Sequence, residues 1–283
     1  MESTFNTETR RHANRIRIQQ NAEYQQLIDE IKAIEKLIDS FGFLQFGRDY
    51  IMCDKWSISL QSLITSIELT AGNIVACCEY ACIADANILL RKYRDDLFFY
   101  LYIVVFDSSK NSENPFGNKK MKENILRWIK NGLDNFNINE VFKAVGTSQQ
   151  LKEAVDAYDL KKSFAAIGKR LNRFVHGNGY AYYNRFIEAY EENEFSNFLK
   201  TFVDDLKYVT VTYLFLLILC SPISMMSTDY IDYLDCGESP PEDSQYWVAP
   251  FIMKFMSENT SLIDENCYKY LLENTKMQFD PDL

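Results

Sequence analysis

The segment from Arg170 to Tyr180, RLNRFVHGNGY, concentrates the residue types that handle a phosphodiester. It holds His176, one of only two histidines in the chain, and sets two arginines and an asparagine ahead of it. Imidazole is the side chain whose unperturbed charge changes near neutral pH, so His176 can exchange a proton while a neighbouring guanidinium holds an anion. Lys161, Lys162, Lys169, Arg170 and Arg173 occur with no acid from Lys161 through Tyr183, a basic island in a chain whose formal charge is -10. A globally acidic surface repels polyanions, so any nucleic-acid site must be local. At ~3.6 residues per turn, Lys169, Arg173 and His176 fall on one stripe of a helix, with Asn172 one turn before His176. Arg170 lies off that stripe, with a side chain long enough to swing across. Gly177 and Gly179 end the helix and leave His176 at an accessible C-terminal end, where it could equally do no more than cap carbonyls.

The elements that position this segment read as helices. A chain of 283 residues, 47% hydrophobic, with ten glycines and six prolines, has too few turn-formers for a sandwich or barrel. An all-α helical bundle is expected, with an N-terminal amphipathic helix and a small C-terminal appendage. From Asn14 to Phe41 one helix is predicted: Tyr24, Leu27, Ile31, Ile34, Ile38 and Phe41 are spaced as the seam of a short coiled coil. That face either docks on the chain's own core or dimerises. Arg10, Arg11, Arg15 and Arg17 ahead of it form a basic arm, a solvated face or a source of phosphate contacts. Residues 57–106 read as two long helices with a break near Gly72, and Arg91 and Asp95 as an i, i+4 ion pair. Residues 107–120 carry the clearest loop composition, followed by a helix over 121–133. Residues 151–167 form another helix, and residues 186–219 one or two more. The expected organisation is an N-terminal helix and linker over 1–56, a bundle over 57–228, and an appendage over 229–283 in which Pro240 and Pro241 break any helix.

Other chemistries find little support. The seven cysteines are odd in number and mostly lie in apolar runs, which reads as reduced thiols in a cytoplasmic protein. Cys77, Cys78 and Cys82 lack a fourth ligand and a nearby histidine for zinc. The adjacent pairs Asp95–Asp96 and Asp204–Asp205 diverge by ~100° on a helix and form no dyad by themselves. No phosphate-loop or dinucleotide fingerprint is present, and no metal or cofactor is expected. Residues 1–9 carry no apolar signal segment. The uncharged run 208–228 has a short apolar heart, Tyr213 to Cys220, and reads as a buried helix ending near Pro222 rather than a membrane span.

The order arginine, polar residue and histidine after four to six intervening residues, in an all-α chain, resembles the HEPN superfamily. Its members include metal-independent ribonucleases and toxins of bacterial immunity systems. The core of its minimal toxins reads Arg-Asn-Arg-aliphatic-Val-His, and NRFVH from Asn172 to His176 matches most of it. Leu171 occupies the place of the leading arginine and Arg170 lies one residue earlier, leaving five intervening residues. The tyrosine that follows the histidine by two is Asn178 here, with Tyr180 two further on. The resemblance implies a homodimer in which two motifs face each other, cleaving single-stranded RNA without a metal. In it His176 is the acid or base, Arg170 and Arg173 hold the scissile phosphate, and Asn172 orients the imidazole or the phosphate. Lys169 and Tyr180 would add substrate contacts. Tyr180, Tyr182 and Tyr183 either stack on bases or pack a helix face. An antitoxin or defence-system protein is the implied partner. The alternative from another class is a catalytically silent helical module that binds proteins.

Overall fold

The seam from Tyr24 to Phe41 forms α1 (Ala22–Leu44), and all six of its apolar residues are buried. In the computed structural model the described residues are 9, 12–13, 15–45, 50–110, 115–132, 137–176, 192–239 and 248–275. Helix α1 starts at Asn21, whose side chain accepts a hydrogen bond from the Tyr24 amide at 3.0 Å, a first-turn cap that sets it off from residues 15–19. Its apolar face docks on the chain's own core, against α2 (Leu60–Glu79) and the long helix α8 (Glu192–Cys220).

Between α1 and α2 lies a short antiparallel hairpin, β1 (Tyr50–Cys53) and β2 (Trp56–Ser59), in register Ile51 to Ile58. Its turn is made by Asp54 at φ 59°. The hairpin is the only sheet among the described residues, and the fold is all-α as expected. The break expected near Gly72 falls instead at Tyr80–Cys82. There Ala81, at φ 59°, ends α2 with paired bonds from Ala81 N to Cys78 O and from Cys82 N to Cys77 O.

Helix α3 (Ile83–Ser109) is the axle of the molecule, apolar nearly all round over its second half. Tyr93, Leu97, Phe98, Tyr100 and Leu101 are fully enclosed, and α8 lies alongside, joined by a Tyr93–Thr210 hydroxyl bond of 3.0 Å. Helix α3 runs on into the stretch read as a loop, and α4 (Pro115–Ile129) begins earlier than expected. The short helix α5 (Ile138–Val145) was not anticipated. The single helix expected over 151–167 is two, α6 (Gln149–Ala157) and α7 (Leu160–Val175), broken where Asp159 takes φ 47°.

The apolar run from Tyr213 to Ile218 is buried within α8, which stops before Pro222. Among the described residues no helix is long and apolar enough to cross a membrane. Beyond it α9 (Thr228–Asp235), α10 (Pro250–Asn259) and α11 (Cys267–Asn274) follow, and α10 and α11 pack on α8. Their apolar side chains join the same continuous cluster as α1 and α3. Pro240 and Pro241 lie outside the described residues.

Candidate functional site

Helix α7 carries the residues of interest because its sequence is strongly two-faced. Leu160, Phe164, Ile167 and Leu171 recur every three to four residues and are buried, which fixes the rotation of the helix about its axis. An aromatic cluster sets its position. Phe164 meets Phe98 of α3 with ring centroids 4.6 Å apart and Phe142 of α5 at 5.6 Å, and Phe98 and Phe142 are 6.1 Å apart. The three rings tie α3, α5 and α7 together directly beneath the polar face.

That face opens on a cavity of about 600 Å³. Helix α7 contributes Gly168, Lys169, Asn172 and Arg173, α3 contributes Arg91, Arg94 and Asp95, and the start of α5 contributes Asn137 and Asn139. Four cationic side chains thus surround one carboxylate, in a protein with a formal charge of -10. Asp95 accepts from Nε and Nη2 of Arg94 at 2.9 and 2.6 Å and lies 3.8 Å from Nε of Arg91, so the expected Arg91–Asp95 pair is present but shared. The Arg94 side chain is only 7% exposed. Its Nη1 lies 3.0 Å from where a Cβ on residue 168 would sit, so the missing side chain of Gly168 is what lets the guanidinium lie against α7. Asn137 caps α5, its side chain accepting from the Asn139 amide at 3.0 Å.

The predicted site residues divide into three groups. Lys169, Asn172 and Arg173 are brought together on the cavity wall. His176 is the C-terminal cap of α7, its amide bonded to the Asn172 carbonyl at 3.1 Å, and it is exposed. It continues the same stripe, about 20° around the axis from Lys169, but does not line the cavity. Arg170 points elsewhere, about 120° around from His176, toward α8. There it forms a two-pronged pair with Asp205: Nε to Oδ2 at 3.0 Å, and Nη2 to Oδ1. Asp205 is buried, and burial pushes its carboxyl pKa up, with the Arg170 bonds and charge pulling the other way. Tyr180, Tyr182, Tyr183, Gly177, Gly179 and Asn178 lie outside the described residues.

Sequence reasoning passed over Arg94. A signal was present: Leu90, Arg94, Leu97 and Leu101 are spaced 4, 3 and 4 apart, so an arginine occupies a core position of an otherwise apolar stripe. Asn137 and Asn139 were missed along with α5. The remaining candidate chemistries gain nothing. All seven cysteines are free thiols, and no cluster of His, Cys, Asp or Glu able to hold a metal exists among the described residues. In the N-terminal arm, Arg15 lies over the Tyr80 ring at 5.8 Å, and Arg10 and Arg11 fall outside the described residues.

No family model, curated protein or solved structure matches the chain.

Proposed function

We propose that this protein is a metal-independent endoribonuclease acting on single-stranded RNA, with His176 as its proton-transfer residue. The observation that carries the reading is the continuity of Lys169, Asn172 and Arg173, gathered on a cationic cavity, with the exposed His176 at the end of the same helix face. Attack of a ribose 2'-oxygen on the adjacent phosphorus breaks the bond to the 5'-oxygen and leaves a 2',3'-cyclic phosphate. It requires a base for the 2'-hydroxyl proton, an acid for the departing oxygen, and positive charge on the phosphorane. Lys169 and Arg173 supply the charge. One imidazole cannot be base and acid in the same step, so the second proton-transfer group comes from a second copy, in a homodimer that joins two His176 sites. A cytoplasmic role in toxin-like or antiphage defence, held in check by a partner protein, rests on the resemblance to the HEPN superfamily alone.

The Arg170–Asp205 pair favours a second reading. An arginine spent on a buried carboxylate pins α7 to α8 and has fewer donors for a phosphate, which suits a silent helical interaction module. Incubation of the purified protein with total RNA in EDTA separates the two. Cleavage by the wild type that is lost in His176→Ala supports the nuclease; intact RNA in both lanes supports the module.

A further inference from the structure

We propose that the cavity between α3, α5 and α7 is a binding subsite for a phosphomonoester of nucleotide size, anchored by Arg94. The anchor is an arginine with donors that no hydrogen bond among the described residues uses. Arg94 is more than nine-tenths buried, yet its two hydrogen bonds go from Nε and Nη2 to one oxygen of Asp95, and Nη1 has no hydrogen-bond partner among the described residues. Arg94 lines the cavity, so a ligand seated there meets a guanidinium that Asp95 holds in place and that still has donors to give. A Cβ on residue 168 would come within 3.0 Å of Nη1, so Gly168 leaves room beside the guanidinium and offers it no side-chain acceptor.

The charge around it selects the ligand. Arg91, Arg94 and Lys169 face one carboxylate, an excess of two positive charges before Arg173 is counted. A phosphodiester brings one negative charge and a phosphomonoester close to two, so the monoester balances the cavity better. The start of α5 adds polar groups at Asn137 and Asn139 and the positive end of a helix dipole on the same side. The cavity, about 600 Å³, lies within the ~300–1,000 Å³ usual for organic ligands and leaves room for an organic part beside the phosphate. Ile138 and Phe164 give the organic part an apolar wall. That this part is a nucleoside rests on the ribonuclease reading; the phosphate subsite does not. A free nucleotide and the 5'-phosphorylated end of an RNA present the same group.

Calorimetric titration of the full-length protein in EDTA tests the assignment, with 5'-AMP, adenosine, and a short RNA carrying either a 5'-phosphate or a 5'-hydroxyl. Removing a charged hydrogen-bond partner costs roughly tenfold or more in affinity. The subsite predicts that AMP, the 5'-phosphorylated RNA, or both bind about tenfold or more tighter than their unphosphorylated counterparts. Lys169→Glu, a change at an exposed position that spares the buried Arg94, should abolish that preference, and His176→Ala should retain it. Preference for AMP identifies a free nucleotide as the source; preference confined to RNA identifies a chain end. Equal binding with and without phosphate, no binding of any probe, or a Lys169→Glu protein that binds like the wild type overturns the proposal. Binding is read apart from cleavage, so a protein that prefers AMP and leaves RNA intact keeps the subsite and discards the nuclease.

Discussion

Arg170 and His176 belong to one short motif and have different physical situations, which makes their substitutions separable. His176 is exposed at a helix end, so His176→Ala should leave the melting temperature unchanged while removing cleavage. Arg170→Ala strands the buried Asp205. Loss of one partner of a fully buried pair costs ~3–5 kcal/mol, but the Arg170 side chain is 43% exposed, so solvent screening reduces the expected loss to about 2 kcal/mol. The pH dependence has a definite sign. Without Arg170 the Asp205 carboxyl, already raised by burial, rises further above its unfolded value. A carboxyl raised in the folded state gives up stability as pH climbs through its folded pKa and regains it as pH falls. The gap in melting temperature between wild type and Arg170→Ala should therefore narrow on acidification from neutral pH toward the ordinary aspartate range. Gly168→Ala tests the cavity from its other wall. Alanine gains ~0.5–1 kcal/mol over glycine in a helix interior, while its Cβ crowds Nη1 of Arg94, the movable end of a side chain. Stability should hold or rise and AMP binding should weaken. The polar face of α7 was legible in the sequence because helical spacing alone assembles Lys169, Arg173 and His176. The roles of Arg94 and Asp205 were not, because each depends on a helix distant in sequence.

At the scale of elements, the Phe98, Phe142 and Phe164 cluster is what places the cationic wall. Phe164→Ala removes three ring contacts, to Phe98, Phe142 and Tyr208, and leaves a void between α3, α5, α7 and α8, with an expected cost of ~3–5 kcal/mol in chemical denaturation. Phe164→Leu, which refills much of the space, should cost less and keep nucleotide binding; loss of binding at preserved stability would show that the cluster orients α7 as well as anchoring it. The seams of α1 and α7 could be read from sequence since burial there follows the helical period. The helix ends could not. Ala81 and Asp159 each take positive φ and close α2 and the α6–α7 joint, without the glycine that normally announces such a stop. Gly72, which did look like a stop, sits inside α2 with nothing within 4 Å of its missing side chain. Its propensity cost of about 1 kcal/mol is outweighed by the buried residues on either side, Ile67 and Ile74 among them. The hairpin escaped notice because its strands are four residues each and its turn relies on Asp54 at φ 59°.

A formal charge of -10 over the chain contrasts with the basic face of α7, and that contrast sets how the molecule should meet RNA. With Arg91, Lys169 and Arg173 as the accessible contacts, about three phosphates are neutralised, so log K for single-stranded RNA should fall with log salt at a slope near -2. A much steeper slope would mean that the binding surface extends well beyond α7. If two copies complete the proton transfers, specific activity should rise with protein concentration through the range where light scattering detects a dimer. A monomer with full activity would place both proton-transfer groups in one chain. The most direct test of the central claim uses one labelled single-stranded RNA and its DNA counterpart, each incubated in EDTA with wild type or His176→Ala. The account predicts that wild type cuts the RNA alone and leaves 2',3'-cyclic phosphate ends, and that the variant cuts neither. RNA left intact by the wild-type dimer, equal cleavage by the variant, or cleavage of the DNA would contradict it.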